Sequence, residues 1–299
     1  MTAEPPRYTV VIITRDRRRE LEHTLDRMTA LPGAPPVIVV DNASGDGSAA
    51  AAERYAGVQV IRATANLGAV GRNLAVERVT TPYVAFCDDD IWWEPEAPGR
   101  AAALLDDHPG LASVTGLILV EPGGREDPIT PELRHSPVPA PAWLPGPALL
   151  SILAGASMLR VSAFRAAGGF SPRLWLGGEE ELLALDLAAA GWWMCWHPDV
   201  VVHHAASVAR DPTERRMLGI RNTLWTAWLR RPVPAAARHT VAVLRSVPRD
   251  RASGLAVARA VRGLPWVIRE RRVIPPAVEA GIRLLEAPRR ASPARRYIG

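Results

Sequence analysis

Between residues 8 and 107 an apolar run, a polar loop and a helical pattern follow one another four times over. Strands joined by helical crossovers run parallel, because each crossover carries the chain back to the same edge of the sheet. The pattern therefore predicts an α/β fold on a largely parallel, doubly wound sheet flanked by helices. The predicted strands are Tyr8–Ile13, Val37–Val40, Val58–Ile61 and Tyr83–Cys87. The first is β-branched almost throughout, as a strand buried on both faces should be. Leu21, Leu25 and Met28 recur at helical spacing within Glu20–Met28, and Pro32-Gly33 stops that helix. Further helices are expected over Ala49–Tyr55, up to Arg78, and over Arg100–Asp107. Ligands of such sheets bind at the C-terminal ends of the strands. Each strand here ends in a distinctive loop: Thr14–Arg17, Asp41–Asp46, Asn66–Asn73 and Asp88–Asp90.

The last of these loops carries the sharpest chemistry. An apolar run, Tyr83–Cys87, stops abruptly at Asp88-Asp89-Asp90. Three adjacent carboxylates repel one another unless a positive charge neutralises them. A hard divalent cation that also carries phosphate oxygens does this well. In an extended segment Asp88 and Asp90 point one way and Asp89 the other. Taken alone, the three acids are as compatible with a solvated turn.

Composition narrows the class. The 299 residues suffice for one large α/β domain with an appendage, and a hydrophobic fraction of 48% with mean hydropathy of zero suits a folded soluble core. The two cysteines, Cys87 and Cys195, form no C-x-x-C pair, so a reducing, cytoplasmic setting is expected. No apolar stretch is long enough to span a membrane, and Met1–Pro6 holds no signal-peptide core. There is neither a G-x-G-x-x-G after the first strand nor a P-loop. Phosphates would then be held by metal and arginine. All 36 basic side chains are Arg, and their distribution is lopsided. Residues 230–299 hold 16 Arg against 4 acids, while the rest of the chain carries a net −7. A basic tail on an acidic body fits an anionic surface such as lipid headgroups, or simply solvated Arg-rich helices. Nucleic acid is not an expected partner.

Together these loops resemble the family 2 glycosyltransferases, which have the GT-A fold. Val10-Val-Ile-Ile-Thr-Arg-Asp-Arg17 is similar to the family's opening strand and loop, and Val39-Val-Asp-Asn-Ala-Ser-Gly-Asp46 to its second. Asn66-Leu-Gly68 with Arg72-Asn73 resembles the third motif, and Asp88-Asp-Asp90 the metal-binding D-x-D. The resemblance implies a nucleotide-diphosphate sugar as donor and Mn²⁺ or Mg²⁺ as cofactor. It implies that Thr14, Asp16, Asp41 and Asn66 line the base and ribose, and that Arg72 reaches base or phosphate. Arg15, Asn42, Gly68 and Asn73 belong to the same nucleotide-binding loops. Asp88 or Asp89 would touch ribose, and Asp90, with Asp88, the metal.

The second half adds further expectations. Leu111–Val120 is a strand. Glu121–Pro147 is proline-rich and long enough to be an acceptor-side loop that orders with ligand. Gly155–Phe170 resembles the family's acceptor floor and Gly-Gly-Phe turn, with Phe164 and Phe170 in the core. Gly177-Gly-Glu-Glu-Glu181 opens an apolar helix, where acids also suit the helix dipole. The family carries Glu-Asp at this place, and one of the two is the general base. Here Glu179 matches the Glu and Glu180 the Asp, one methylene longer; Glu180 is the expected base, then Glu179. Gly191–His204 should form two strands ending in histidines, with His203 ahead of His204 as the family's metal-site histidine. One of Trp192 and Trp193 is a candidate for stacking on a sugar. Arg221, on a helical face with Leu224, Trp225 and Trp228, is either a core-helix arginine or a partner for the departing diphosphate.

Residues 1–230 are thus expected to form a catalytic domain, with a nucleotide half (1–95) and an acceptor half (96–230). Residues 231–299 form a basic helical extension that packs on that domain or rests on the inner membrane face. The expected reaction is inverting transfer of a sugar to an acceptor hydroxyl on a glycan, a lipid-linked intermediate or a small molecule. A glycoside hydrolase, or a non-catalytic nucleotide- or carbohydrate-binding module with a membrane-docking tail, are the alternatives.

Overall fold

The computed structural model describes residues 5–205 and 212–291. The four runs that alternate with helical patterns become β1 (Tyr8–Thr14), β2 (Val37–Asp41), β3 (Val58–Arg62) and β4 (Tyr83–Asp88). Between them lie α1 (Arg18–Met28), α2 (Ser48–Ala52) and α3 (Gly71–Val76). The chain continues through β5 (Ile91–Trp93), α4 (Ala97–Asp107), β6 (Leu111–Val120), β7 (Arg125–Glu126), α5 (Thr130–Arg134), β8 (Ser157–Arg160), α6 (Val161–Ala166), α7 (Glu179–Ala189) and β9 (Trp193–His204). Five helices follow: α8 (Pro212–Arg230), α9 (Val233–Ser246), α10 (Arg251–Arg262), α11 (Leu264–Arg269) and α12 (Pro276–Ala291).

One sheet runs β3-β2-β1-β4-β8-β6-β9-β5, with β7 paired to β6. Its first four neighbours are parallel, whereas β8 is antiparallel to both β4 and β6, and β5 is antiparallel to β9. The sheet is doubly wound as expected. Val11, Val84 and Phe86 face one layer with α3, α6, α7 and α12. Val10, Ile12, Ala85 and Cys87 face the other, with α1 and α4. This alternation is the period of two of a pleated strand, and apolar contacts on both faces explain the unbroken apolar sequence. Phe164 and Phe170 are core residues, as expected.

The sheet must also curl. Only Asp89 and Asp90 separate β4 from β5, a reach of roughly 11 Å. In the sheet order β5 lies four positions from β4, about 19 Å across a flat surface. The far edge therefore folds back over the C-terminal end of β4, and it brings β9 with it. Within Gly191–His204 the structure has one strand, β9, rather than two: the register with β6 jumps between Gly116 and Leu117, so residues 198–200 bulge while pairing holds on both sides of them. Residues 121–147 are not a featureless loop. They hold β7 and α5, and Thr130 and Leu133 are buried.

The C-terminal helices close a third apolar cluster. Ile220, Leu224, Trp225 and Leu229 of α8 meet Val243, Ala256, Ala260 and Val267, with Leu174 and with Leu182 of α7. Arg230 pairs with Asp186 of α7, and Arg231 bonds Glu279 at 3.0 and 2.9 Å and Glu286 at 2.6 Å. Helices α9 to α11 thus pack through α8 on the sheet-bearing part of the chain; the final stretch, 292–299, lies outside the described residues.

Candidate active site

Strand register builds the site. Thr14 stands opposite Asp41, and Ile13 opposite Asp88, so the ends of β1, β2 and β4 form one edge. The loop after β1 then turns on Asp16, at a φ of 50°, which delivers Arg17 to the acids after β4. Arg17 reaches Asp89 Oδ1 at 2.7 Å and Asp90 Oδ2 at 2.9 Å. Asp89 also accepts from Thr14 Oγ1 at 2.9 Å, and its carbonyl accepts from Thr24. Arg72, 4% exposed, pairs with Asp88 and lies 5.8 Å from the Phe86 and Phe170 rings. The mutual repulsion of three carboxylates is therefore offset by two arginines. Burial, reinforced by Asp88 and Asp90, pushes the Asp89 carboxyl up to about 7 against the pull of Arg17 and Thr14. Burial acts the same way on Asp90, but His204 and Arg17 hold its carboxyl below the usual range.

His204, not His203, stands beside the acids. The β5–β9 ladder pairs Ile91 with His204 and Trp92 with His203. His204 Nε2 lies 3.8 Å from Asp90 Oδ2, and that contact raises its pKa. The side chain of His203 points to the opposite face, where it stacks on Trp92 and bonds Glu121 at 2.9 Å. The expected assignment of His203 to the metal site is thereby corrected: adjacent residues of a strand face opposite ways, and the ladder sets the parity.

The other expected residues divide. Asp41 is buried; its Oδ2 accepts from the Ser44 amide, and its Oδ1 has no hydrogen-bond partner among the described residues. Such an atom is costly unless something donates to it. Asn42 and Asn73 are in the predicted loops but hold the backbone. Asn42 bonds Leu67 and Gly68, and Asn73 bonds both the N–H and C=O of Phe170. Each amide end is thus bonded to loop backbone, so both residues brace the loops in which they lie. Asp16 accepts from Gly45, and Arg15 lies outside beside it. Asn66 accepts from the Gly68 amide and, through its carbonyl, from Trp175 Nε1. Gly68 has a φ of +59°, and a Cβ there would stand 2.6 Å from the Trp175 carbonyl oxygen.

The second acidic centre meets the first across a backbone segment. Glu179 and Glu180 begin α7 after Gly178, which has a φ of +89°. Glu180 Oε1 accepts from the Ala154 amide at 2.6 Å. On the next residue, a Cβ at Gly155 would lie 3.3 Å from Asp88 Oδ2. Glycine thus lets this segment run close between Glu180 and Asp88. Burial first, then the Glu179 carboxylate, pushes the Glu180 carboxyl up to about 8. Burial likewise raises Glu179, whose Oε2 has no hydrogen-bond partner among the described residues.

Among the described residues no three His, Cys, Asp or Glu side chains already converge on one point. At the acidic edge Asp90 and His204 stand 3.8 Å apart, and Asp88, two residues before Asp90, has its Oδ1 taken by Arg72. Carboxylate and imidazole suit a Mn²⁺ or Mg²⁺ that keeps phosphate oxygens among its ligands. The chemistry of the donor set therefore fits such an ion.

Trp192 and Trp193 sit at the other end of β9 from His204. Arg160 lies over Trp192, and Trp143 meets Trp193 edge-on, so neither indole reaches this site. Arg221 stacks on Trp225 and donates to the Leu174 carbonyl. Three contributors had no role in the sequence reading: Arg17, Trp175 and the Ala154 amide. Arg17 was discoverable, three residues beyond Thr14 in the same loop. The other two become neighbours only in the folded chain.

Residues 9–165 match the family described as Glycosyl transferase family 2. The chain is 28% identical, over 78% of its length and 90% of the relative's, to an N-acetylglucosaminyl-diphospho-decaprenol L-rhamnosyltransferase of Mycobacterium tuberculosis (strain CDC 1551 / Oshkosh). In fold it is similar to the mannosyltransferase PcManGT from Pyrobaculum calidifontis in complex with GDP-Man and Mn²⁺, with a TM-score of 0.59 and 19% identity. That likeness covers 95% of this chain and 87% of the other. It is also similar to S. aureus TarS 1-349 in complex with UDP-GlcNAc, with a TM-score of 0.58, 17% identity, and coverage of 95% and 82%. The family match spans more than half of the chain and takes in the first three strand-end loops and the Asp88–Asp90 acids, which sets the hydrolase and binding-module readings aside: the chain belongs to glycosyl transferase family 2 and is a glycosyltransferase.

Proposed function

We propose that the chain transfers a sugar, with inversion, from a nucleoside-diphosphate sugar to a lipid-linked acceptor, using Glu180 as general base. The observation that carries this is the Glu180 carboxylate set against Ala154, one residue from the backbone that packs on Asp88. Donor phosphates at Asp88–Asp90 and an acceptor hydroxyl at Glu180 would then lie on either side of that segment. Glu180 takes the hydroxyl proton as the oxygen attacks the anomeric carbon and the bond to the diphosphate breaks. Arg17 and Arg72 keep the acidic edge neutral enough to admit a diphosphate. Asp41 Oδ1, buried and without a partner, is disposed to accept from the nucleotide. Asp88, Asp90 and His204 would hold a divalent cation, which when bound supplies charge stabilisation to the leaving diphosphate.

The lipid-linked acceptor rests on the named relative, which carries such an acceptor in its name. Residues 1–230 would be the catalytic unit, donor half to 95, and residues 231–299 a membrane-facing extension. Among the described residues no helix is long and apolar enough to cross a membrane. Eight of the nine exposed large apolar side chains among the described residues, Val241, Leu244, Val261 and Ile268 included, nevertheless lie in the extension, amid its arginines. Apolar and cationic side chains together suit a peripheral contact with anionic lipid on the cytoplasmic face.

The test is transfer from UDP-, GDP- and dTDP-sugars to synthetic N-acetylglucosaminyl-diphospho-polyprenol, with the anomeric configuration of the product read by NMR. An inverted product supports the reading. A retained configuration, or donor hydrolysis without transfer, would refute it. Cosedimentation with phosphatidylglycerol vesicles at low salt tests the extension, and no binding would remove it from membrane contact.

A further inference from the structure

Asn222 lies in α8, outside every motif of the catalytic half, yet it is 0% exposed. Its Nδ2 donates toward three carbonyls of one short segment: Leu174 at 2.9 Å, Leu176 at 3.0 Å, and Gly177. An amide has two hydrogens for these three acceptors, so at least one is shared. The orientation of the amide is fixed from its other end. Arg221 Nε can only donate, and it lies 2.8 Å from Asn222 Oδ1. The next residue of the segment, Gly178, approaches so closely that a Cβ there would stand 3.1 Å from Asn222 Cβ.

The segment so held, residues 174–178, touches both halves of the site. At one end Gly178 opens α7 and places Glu179 and Glu180. At the other end Trp175 sits at a φ of 63°, a conformation that a bulky residue adopts only when its surroundings impose it. Those surroundings are the donor-side loop: the Trp175 carbonyl accepts from the Ala69 amide at 3.0 Å, and its indole donates to the Asn66 carbonyl at 3.0 Å. Arg221, the neighbour of Asn222 on α8, adds a bond to the Leu174 carbonyl at 3.2 Å, while the Leu176 and Gly177 carbonyls are held by Asn222.

We propose that Asn222 is a positioning residue for sugar transfer. By holding the 174–178 carbonyls it keeps Trp175 against the Asn66–Gly68 loop and Glu180 against Ala154 at once, and so couples the nucleotide loop to the base. The proposal rests on the reading of Glu180 as base. It assigns α8 a role in transfer beyond its packing and its Arg221 and Arg230 contacts. Releasing the segment should disturb both ends together, so kcat and the KM for donor change in the same variant. A merely structural Asn222 would lower the melting temperature and the folded fraction, and leave both constants unchanged per folded molecule.

The test compares Asn222→Ala and Asn222→Asp in the full chain, with folded fraction fixed by circular dichroism and transfer measured with the donor that the native protein uses. A misplacement near 1 Å typically costs on the order of 10²-fold in rate. The expected result is a kcat lower by about that factor, with a raised donor KM. Native kcat and KM per folded molecule would overturn the proposal. Should neither variant fold, Trp175→Phe carries the test. It keeps an aromatic side chain but loses the pyrrole ring, and with it the N–H that donates to the Asn66 carbonyl, so it too should raise donor KM and lower kcat; unchanged constants there overturn the coupling. Glu180→Gln is run alongside. If it retains full transfer, the base reading falls and the proposal with it. If it loses transfer while the Asn222 variants keep theirs, only the positioning role falls.

Discussion

Replacing Glu180 with Gln removes a proton acceptor and little else. The Gln oxygen can still accept from the Ala154 amide at the 2.6 Å position, so the start of α7 should stay in place. Loss of a general base costs typically 10²–10⁴-fold, or about 2.7–5.4 kcal/mol of barrier at 1.36 kcal/mol per decade. The pH dependence follows from the carboxyl, pushed up to about 8. Near pH 7 roughly one molecule in ten holds Glu180 ionised, and near pH 9 about nine in ten. The native kcat should therefore climb about tenfold over that interval and level off, while the residual rate of Glu180→Gln should not. Stability has the opposite slope. Because the folded-state value lies above the ordinary glutamate value of 4.5, the group's contribution is complete below 4.5 and is lost as pH rises through 8. The Gln variant lacks this loss, so its melting temperature should fall less between pH 5 and 9. Initial rates with labelled donor, together with circular-dichroism melts across that range, read both effects. A Glu180→Gln protein with full transfer, or a flat native profile from pH 7 to 9, would refute the reasoning.

The remaining predictions probe the other parts of the site and its frame. His204→Gln should weaken activation by Mn²⁺ in a metal titration of transfer, whereas His203→Gln should leave that titration unchanged, because only His204 faces Asp90. Arg17→Gln leaves Asp89 and Asp90 without their shared cation. Uncompensated buried charge costs about 3–5 kcal/mol at the upper end, and urea unfolding at pH 8 should show a loss that shrinks toward pH 5 as Asp89 takes up a proton. Gly68→Ala forces a Cβ against the Trp175 carbonyl, so it should lower the melting temperature and weaken nucleoside diphosphate binding by calorimetry. Arg231→Met leaves Glu279, 3% exposed, with Arg283 at 3.1 Å as its remaining cation, and should cost less than the roughly 3–5 kcal/mol of a fully uncompensated buried charge in denaturant, without changing donor KM.

The first half of the fold was legible because its signals are local. Alternating apolar runs and helical periodicity gave β1 to β4 within a residue of their ends, and the strand-end loops lay where parallel sheets collect ligands. The second half was less so. The curl of the sheet depends on two residues joining strands four positions apart, which no window of sequence displays. That curl also decides which histidine meets Asp90: His203 and His204 differ in sequence by nothing but parity, and the parity is fixed by pairing with Ile91 and Trp92. Asn42 and Asn73 were singled out through the resemblance of their loops; that they also bond the backbone of residues 25 and 97 positions away appears only in the fold. Trp175 and Asn222 were invisible for a plainer reason. Their partners lie 109 and 45–48 residues away, and no spacing rule links them.

The central claim is that the Asp88–Asp90 edge binds a nucleoside diphosphate with a divalent cation. Melting temperature measured with UDP, GDP, CDP, ADP and dTDP, each with Mn²⁺, Mg²⁺ or EDTA, tests it most directly. A ligand that binds only the folded state at a hundred times its dissociation constant adds about 2.7 kcal/mol. The account predicts that one nucleotide raises the melting temperature with metal, that EDTA removes the shift, and that Asp90→Asn removes it too. A folded native protein that no nucleotide stabilises, or a shift that survives both EDTA and Asp90→Asn, would contradict it.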